Sequence, residues 1–178
     1  MKKSLIFAIL SIVVACGVLL GLRLGLESTA SKNVEKEQQR IFRLLCPGST
    51  EFTEDPYTGD DATVSRVYKG QTGFVVETVT QGYADEITLW VGVSTDGKVT
   101  GLTVKELHET CGLGQTALND HEFLLQFLDT DGTAAVGEGV DAISGATVTS
   151  KAIARCVTSA VAVVTGADVD SGATSWGG

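Results

Sequence analysis

The residues Asp141, Ala142, Ile143, Ser144, Gly145, Ala146, Thr147, Val148, Thr149, Ser150 and Lys151 set four hydroxyl side chains directly ahead of an apolar, periodic segment. That segment reads as a helix, so the hydroxyls fall at a helix amino terminus. Free backbone N–H groups and the helix dipole favour an anion such as phosphate there. Gly145 and Ala146 lack bulk, and a large group can approach the backbone beside them. The same residues also permit a plainer arrangement, in which Thr147 or Thr149 caps the helix and no ligand is needed. Residue types alone leave both open.

Other routes to chemistry are poorly supplied. Cys16, Cys46, Cys111 and Cys156 form no Cys-x-x-Cys pair, so zinc and iron–sulfur sites lack their usual spacing. Cys16 sits in an apolar run, which leaves three cysteines elsewhere and room for one disulfide of unassigned partners. His108 and His121 stand beside Glu109 and Glu122, a pairing common on solvated faces. Neither is read as catalytic or metal-binding, and no metal is expected. Gly137-Glu138-Gly139 lacks the third glycine of a dinucleotide fingerprint, and no lysine follows Gly145 as a P-loop requires. With 13 Lys and Arg against 22 Asp and Glu, the net charge of −9 has the wrong sign for neutralising phosphates. No nucleic-acid partner is expected.

A second segment, Glu109-Thr110-Cys111-Gly112-Leu113-Gly114, reads on its own as a turn in which glycines supply positive φ and Leu113 fills the core. Together with the first segment it supports a resemblance. Residues 141–149 are similar to the flavinylation motif Asp-x-x-Ser/Thr-Gly-Ala-Thr/Ser-x-Thr/Ser of the covalent FMN-binding domain family. Gly82-Tyr83, Ile87, Val91-Gly92-Val93 and residues 96–101 resemble the central strands of that family's members in Rnf-type electron-transport complexes. Residues 44–48 resemble the start of their outer domain. Residues 109–114 resemble a Glu-Thr-Pro-Gly-Leu-Gly loop beside the flavin, with Cys111 where proline is usual and His108 one residue nearer the glutamate.

The resemblance implies FMN held through a phosphoester to Thr147. Asp141, Ser144, Gly145, Ala146 and Thr149 would surround the attachment, and Glu109, Thr110, Gly112, Leu113 and Gly114 would lie at the flavin. It further implies loading by a Mg²⁺-dependent, ApbE-type flavin transferase. The chain would then relay electrons, with no catalytic side chain of its own, as one component of an ion-translocating oxidoreductase. That complex of Rnf proteins works between ferredoxin and NAD⁺ and moves Na⁺ or H⁺. The FMN-bearing C component of the Na⁺-translocating NADH:quinone reductase is a longer relative. The alternatives are an FMN-bearing component of another membrane or extracellular electron chain, and a cofactor-free lipoprotein or binding module. Ser171-Gly172-Ala173-Thr174 repeats the tetrapeptide with Asp168 upstream, but Trp176 replaces the final hydroxyl residue. Thr147 is the expected acceptor.

The elements that must position these residues are legible by period. Phe74-Val75-Val76, residues 87–93 and residues 99–104 read as strands rich in β-branched and aromatic residues. Thr95-Asp96-Gly97-Lys98 reads as a hairpin turn between the last two. Asn119 with Glu122 predicts a capped start for the helix over residues 121–128. A last helix over about residues 149–164 puts Ile153, Val157, Ala160, Val161 and Val164 on one side. The expected fold is α+β, with a small, largely antiparallel sheet and packed helices.

Ahead of that domain, residues 5–22 carry no charge, and the mean hydropathy of +0.20 is high for so acidic a chain. A helix over residues 4–26 would cross a hydrocarbon core of about 30 Å. The run is longer than a signal peptide's apolar region. Val13-Val14-Ala15-Cys16 resembles a lipobox, but an apolar stretch follows it. The expectation is a single uncleaved span in the cell membrane. Lys2 and Lys3 against Arg23, Lys32, Lys36 and Arg40 do not fix its orientation. The family resemblance implies an extracytoplasmic FMN domain. The expected organisation is a stub and membrane helix over 1–26, a helical stalk over 27–48, the FMN-binding domain over 49–165 and a flexible tail over 166–178.

Overall fold

The computed structural model describes residues 32–83, 86–107, 121–133, 135–137 and 139–167. Residues 32–45 form the first helix, α1. Five strands follow: β1 (Thr53–Asp55), β2 (Val64–Lys69), β3 (Gly73–Gln81), β4 (Glu86–Ser94) and β5 (Val99–Leu107). Each pairs antiparallel with the next, so the sheet order is the chain order, β1-β2-β3-β4-β5. Then come α2 (His121–Leu125), the short parallel pair β6 (Ala135–Val136) and β7 (Gly139–Val140), and α3 (Thr147–Thr165). The α+β architecture expected from the pattern is the one observed.

The β4–β5 hairpin turns where Asp96-Gly97 predicts it. Gly97 has φ 80°, and its N–H donates to the Ser94 carbonyl at 3.0 Å. The Ser94 N–H donates to the Lys98 carbonyl at 2.8 Å and closes the loop. Two strands of this five-stranded sheet are not legible in the sequence. β1 is a three-residue edge strand exposed throughout, and no apolar period marks it. In β2 the alternation is broken by a bulge between Val64 and Arg66, which lets Val64 and Val67 enter the same core.

Alternate residues of the central strands feed two apolar layers, as a period of two requires. Val76, Leu89, Val91 and Val93 pack with Ile153, Cys156, Val157, Ala160 and Val161 of α3 and with Phe123 and Phe127. Val75, Trp90 and Tyr68 face the other way, onto Phe42, Leu45, Cys46 and Phe52. Phe42 is fully buried there, with ring centroids 5.5 Å from Phe52, 4.7 Å from Tyr68 and 5.0 Å from Trp90. Gly92 and Gly101 are register partners and leave a bare strip on this face of the sheet. A Cβ at Gly92 would stand 2.2 Å from the Leu45 carbonyl oxygen, to which the Thr100 hydroxyl donates. The backbone leaving α1 lies in that strip.

The helix expected over residues 121–128 is regular only to Leu125 and continues as turns to Asp129, whose φ is 63°. Asn119, its expected cap, lies outside the described residues. The last helix starts two residues earlier than the pattern suggests and runs to Thr165. It ends at Gly166, left-handed with φ 70°, whose N–H donates to the Ala162 carbonyl at 2.8 Å. By length and composition α3 could cross a membrane, but its apolar residues are the core of the domain. The apolar amino-terminal run lies outside the described residues.

Candidate cofactor site

The loop ahead of α3 is a tight turn over Ile143, Ser144, Gly145 and Ala146, closed by the Ala146 N–H donating to the Ile143 carbonyl at 2.9 Å. Gly145 has φ 81°, the positive value that reserves the third position of such a turn for glycine. Ala146 is the residue at the helix boundary, and no side chain caps the helix. The capping role open to Thr147 or Thr149 is therefore not taken by either. Thr147 is instead the first helical residue, with an exposed side chain. The Ser150 N–H, donating to the Ala146 carbonyl at 2.9 Å, begins the helical ladder. The N–H groups of Thr147, Val148 and Thr149 lie ahead of it, where an anion is stabilised.

Thr149, two residues on from Thr147, carries a buried hydroxyl. It is 1% exposed, and its hydroxyl is one of four buried side-chain oxygens without a hydrogen-bond partner among the described residues. A buried hydroxyl left unpaired costs about 1–3 kcal/mol, so such groups normally find a partner. The other three are Asp61 Oδ2, Thr78 Oγ1 and Ser159 Oγ. These three lie near one another: against burial, Ser159 and the Arg155 charge lower the Asp61 carboxyl, and Thr78 and the Asp61 charge both act on the Cys156 thiol.

Two side chains hold the loop. Ser150, fully buried, accepts from the Ile143 N–H at 3.3 Å and donates to the Ala146 carbonyl at 2.9 Å. Gln126, on the turn after α2, accepts the Asp141 N–H at 2.8 Å on its Oε1. Val148, beside Thr147 in the chain, and Leu125, beside Gln126, are apolar yet exposed by 41% and 59%. An uncapped helix start, a bare glycine turn and an exposed threonine together fit a phosphorylated cofactor such as FMN.

Of the residues expected at the site, Asp141, Ser144, Gly145, Ala146, Thr147 and Thr149 are thus brought onto one turn and the helix that follows it. Ala146 and Thr149 are buried and the other four exposed. Glu109, Thr110, Gly112, Leu113 and Gly114 lie outside the described residues, as do His108, Cys111 and Thr174. Cys46 and Cys156 are free thiols buried in opposite layers of the domain. Burial pushes the Cys156 thiol up to about 12, which keeps it protonated and inert.

A charged group in the core has no motif to announce it. Glu77 is 4% exposed, and its Oε2 accepts from Trp90 Nε1 and Lys105 Nζ, each at 2.9 Å. Burial by itself would raise the Glu77 carboxyl. The hydrogen bonds from Lys105 and Trp90 and the Lys105 and Arg66 charges outweigh it and hold the carboxyl below the ordinary range. The register Glu77↔Trp90 across β3 and β4 is the signal for this group, and it exists only once strands are paired.

The family model for the FMN-binding domain matches residues 82–162, which span β4, β5 and most of α3. The G subunit of the Na⁺-translocating ferredoxin:NAD⁺ oxidoreductase complex of Acetobacterium woodii is 29% identical over 187 residues, covering 91% of this chain and 90% of that protein. The G subunit of the ion-translocating oxidoreductase complex of Methanosarcina acetivorans is 36% identical over 148 residues, covering 73% of this chain and 77% of that one. The crystal structure of NqrC from Shewanella oneidensis superposes with a TM-score of 0.46 at 24% identity, over 71% of this chain and 69% of that one. The match over residues 82–162 marks an FMN-binding domain. More narrowly, the chain belongs to the family of G subunits of ion-translocating oxidoreductase complexes.

Proposed function

We propose that this chain carries FMN covalently on Thr147 and relays electrons within a membrane-bound, Rnf-type ion-translocating oxidoreductase. The observation that carries the reading is the exposed Thr147 hydroxyl at the first position of an uncapped helix, behind the Gly145 turn. A threonine hydroxyl is a weak nucleophile at neutral pH and needs an external base or metal. A flavin transferase of ApbE type supplies both, with FAD as donor. Thr147 Oγ1 forms a bond to the FMN-side phosphorus, the bond from that phosphorus to the bridging pyrophosphate oxygen breaks, and AMP leaves with that oxygen. The hydroxyl proton passes to a base on the transferase. The phosphodiester product keeps one negative charge, which the N–H groups of the first turn and the helix dipole stabilise.

Once bound, the flavin supplies the redox chemistry, and the protein fixes its position and surroundings. Gly145 would leave the backbone bare for the phosphate, Thr149 would offer its hydroxyl, and Asp141, Ser144 and Ala146 would shape the turn that holds it. Glu109, Thr110, Gly112, Leu113 and Gly114 are assigned to the flavin's other side on their resemblance to the family loop. The relatives' names, one of them from a Na⁺-translocating ferredoxin:NAD⁺ oxidoreductase complex, support partners among the other proteins of such a complex. Anchorage by a single helix over residues 4–26, with the domain on the extracytoplasmic side, completes the reading.

The test is in-gel fluorescence after denaturing electrophoresis of the full chain co-expressed with a flavin transferase. A fluorescent band lost in Thr147→Val and kept in Thr174→Val is the expected result. No band in the wild-type chain despite active transferase would sink the covalent relay.

A further inference from the structure

We propose that Ser150 and Gln126 are positioning residues that hold the acceptor loop in the shape in which Thr147 is flavinylated. The inference rests on Thr147 being the acceptor, and neither residue belongs to the motif that marks the loop.

The Ser150 hydroxyl spans the turn from below. It takes the Ile143 N–H at 3.3 Å on one side of Ser144-Gly145 and gives its proton to the Ala146 carbonyl at 2.9 Å on the other. Both bonds converge on a fully buried side chain. The bond to Ala146 is the ordinary return of a helical serine to the carbonyl four residues back. The bond from Ile143 is not, because it reaches seven residues back into the loop. From outside, Gln126 ties the first motif residue by accepting the Asp141 N–H at 2.8 Å. The loop between Asp141 and Thr147 is thereby pinned at its start, before its turn and after it. Gly145 would otherwise leave the loop free to explore the broad range of backbone angles open to glycine.

An acceptor loop that is competent only part of the time presents a transferase with a diluted substrate. Apparent affinity then falls by the competent fraction, while turnover of the bound complex is unchanged. Loss of the Ser150 hydroxyl is therefore expected to raise the KM of the chain as acceptor about tenfold, in line with one buried hydrogen bond, and to leave kcat near wild type. Threonine places its hydroxyl on the same i−4 carbonyl and restores the bonds.

The measurement is the initial rate of covalent flavin incorporation into the full-length apo chain in detergent. Purified transferase, Mg²⁺ and FAD are supplied, and chain concentration is varied for wild type, Ser150→Ala, Ser150→Thr, Gln126→Ala and Thr147→Val. Raised KM with unchanged kcat in Ser150→Ala and Gln126→Ala, recovered in Ser150→Thr, is the expected result. Wild-type KM in both alanine variants would overturn the proposal while leaving Thr147 as acceptor. Labelling of Thr147→Val as fast as wild type would remove the acceptor assignment and this inference with it. Should Ser150→Ala fail to fold, Gln126→Ala decides alone, since Gln126 is half-exposed and its side chain can be shortened without opening the core.

Discussion

An exposed threonine at a helix start can be lost without harm to the fold, and a buried carboxylate cannot. Thr147→Val is expected to change unfolding free energy by less than about 0.5 kcal/mol, as surface substitutions usually do, while removing the flavin band. Separate thermal melts of the apo proteins check the first half of that statement. Glu77 behaves oppositely. Its folded carboxyl lies below the ordinary value, so its contribution is fully present above the unfolded range of about 4.3 and disappears as pH falls through the lower folded value. Lys105→Met leaves the carboxylate with Trp90 and Ser65 as hydrogen-bond partners and is expected to cost about 3 kcal/mol at pH 7. The acid-side loss should shrink at the same time. Urea titrations at pH 7 and at steps down to about pH 2, followed by tryptophan fluorescence, read both effects. An unchanged midpoint at pH 7 would mean that the pair adds nothing.

At the level of elements, the two sides of the sheet are built by different means. The α3 side is a broad contact of aliphatic side chains, and its helix was legible from period alone. Ile153, Val157, Ala160 and Val161 are buried as that period requires. The opposite side depends on close approach of backbone to backbone at Gly92 and Gly101. Gly92→Ala would drive a methyl group into the Leu45 carbonyl and is expected to destabilise by about 1–3 kcal/mol, with Phe42 and Leu45 shifted off the sheet. A chemical denaturation curve shows whether it does. Ala146→Gly, at a boundary residue with φ −120°, is expected to change little, since the helix start uses no side-chain cap.

For the whole molecule, two segments compete for the role of membrane helix by composition. Residues 147–165 are committed to the core, and the proposed anchor is the run over residues 4–26. Full-length protein is expected to stay with membranes through alkaline carbonate washing. Tyr83→Cys, at a position 78% exposed beside the β3–β4 connection, should react with a membrane-impermeant maleimide in intact spheroplasts. Labelling only after lysis would put the domain on the cytoplasmic side.

Composition and period determined that the domain is α+β and that β4 and β5 form a hairpin at Asp96-Gly97, and one motif supplied the proposal that the chemistry gathers where the last helix begins. These are local properties: glycine's freedom at positive φ, the alternation of side chains along a strand, and the stripe along a helix are written residue by residue. Tertiary structure decided the rest. Whether Thr147 or Thr149 caps the helix could not be read from residue types, because either hydroxyl suits a cap. It depends on where the Ile143–Ala146 turn delivers the chain. The partners of Ser150 and Gln126, the ion pair of Glu77 and the glycine strip under Leu45 join residues far apart in sequence. Each required strand register or the docking of one element on another, which pattern along a single chain does not encode.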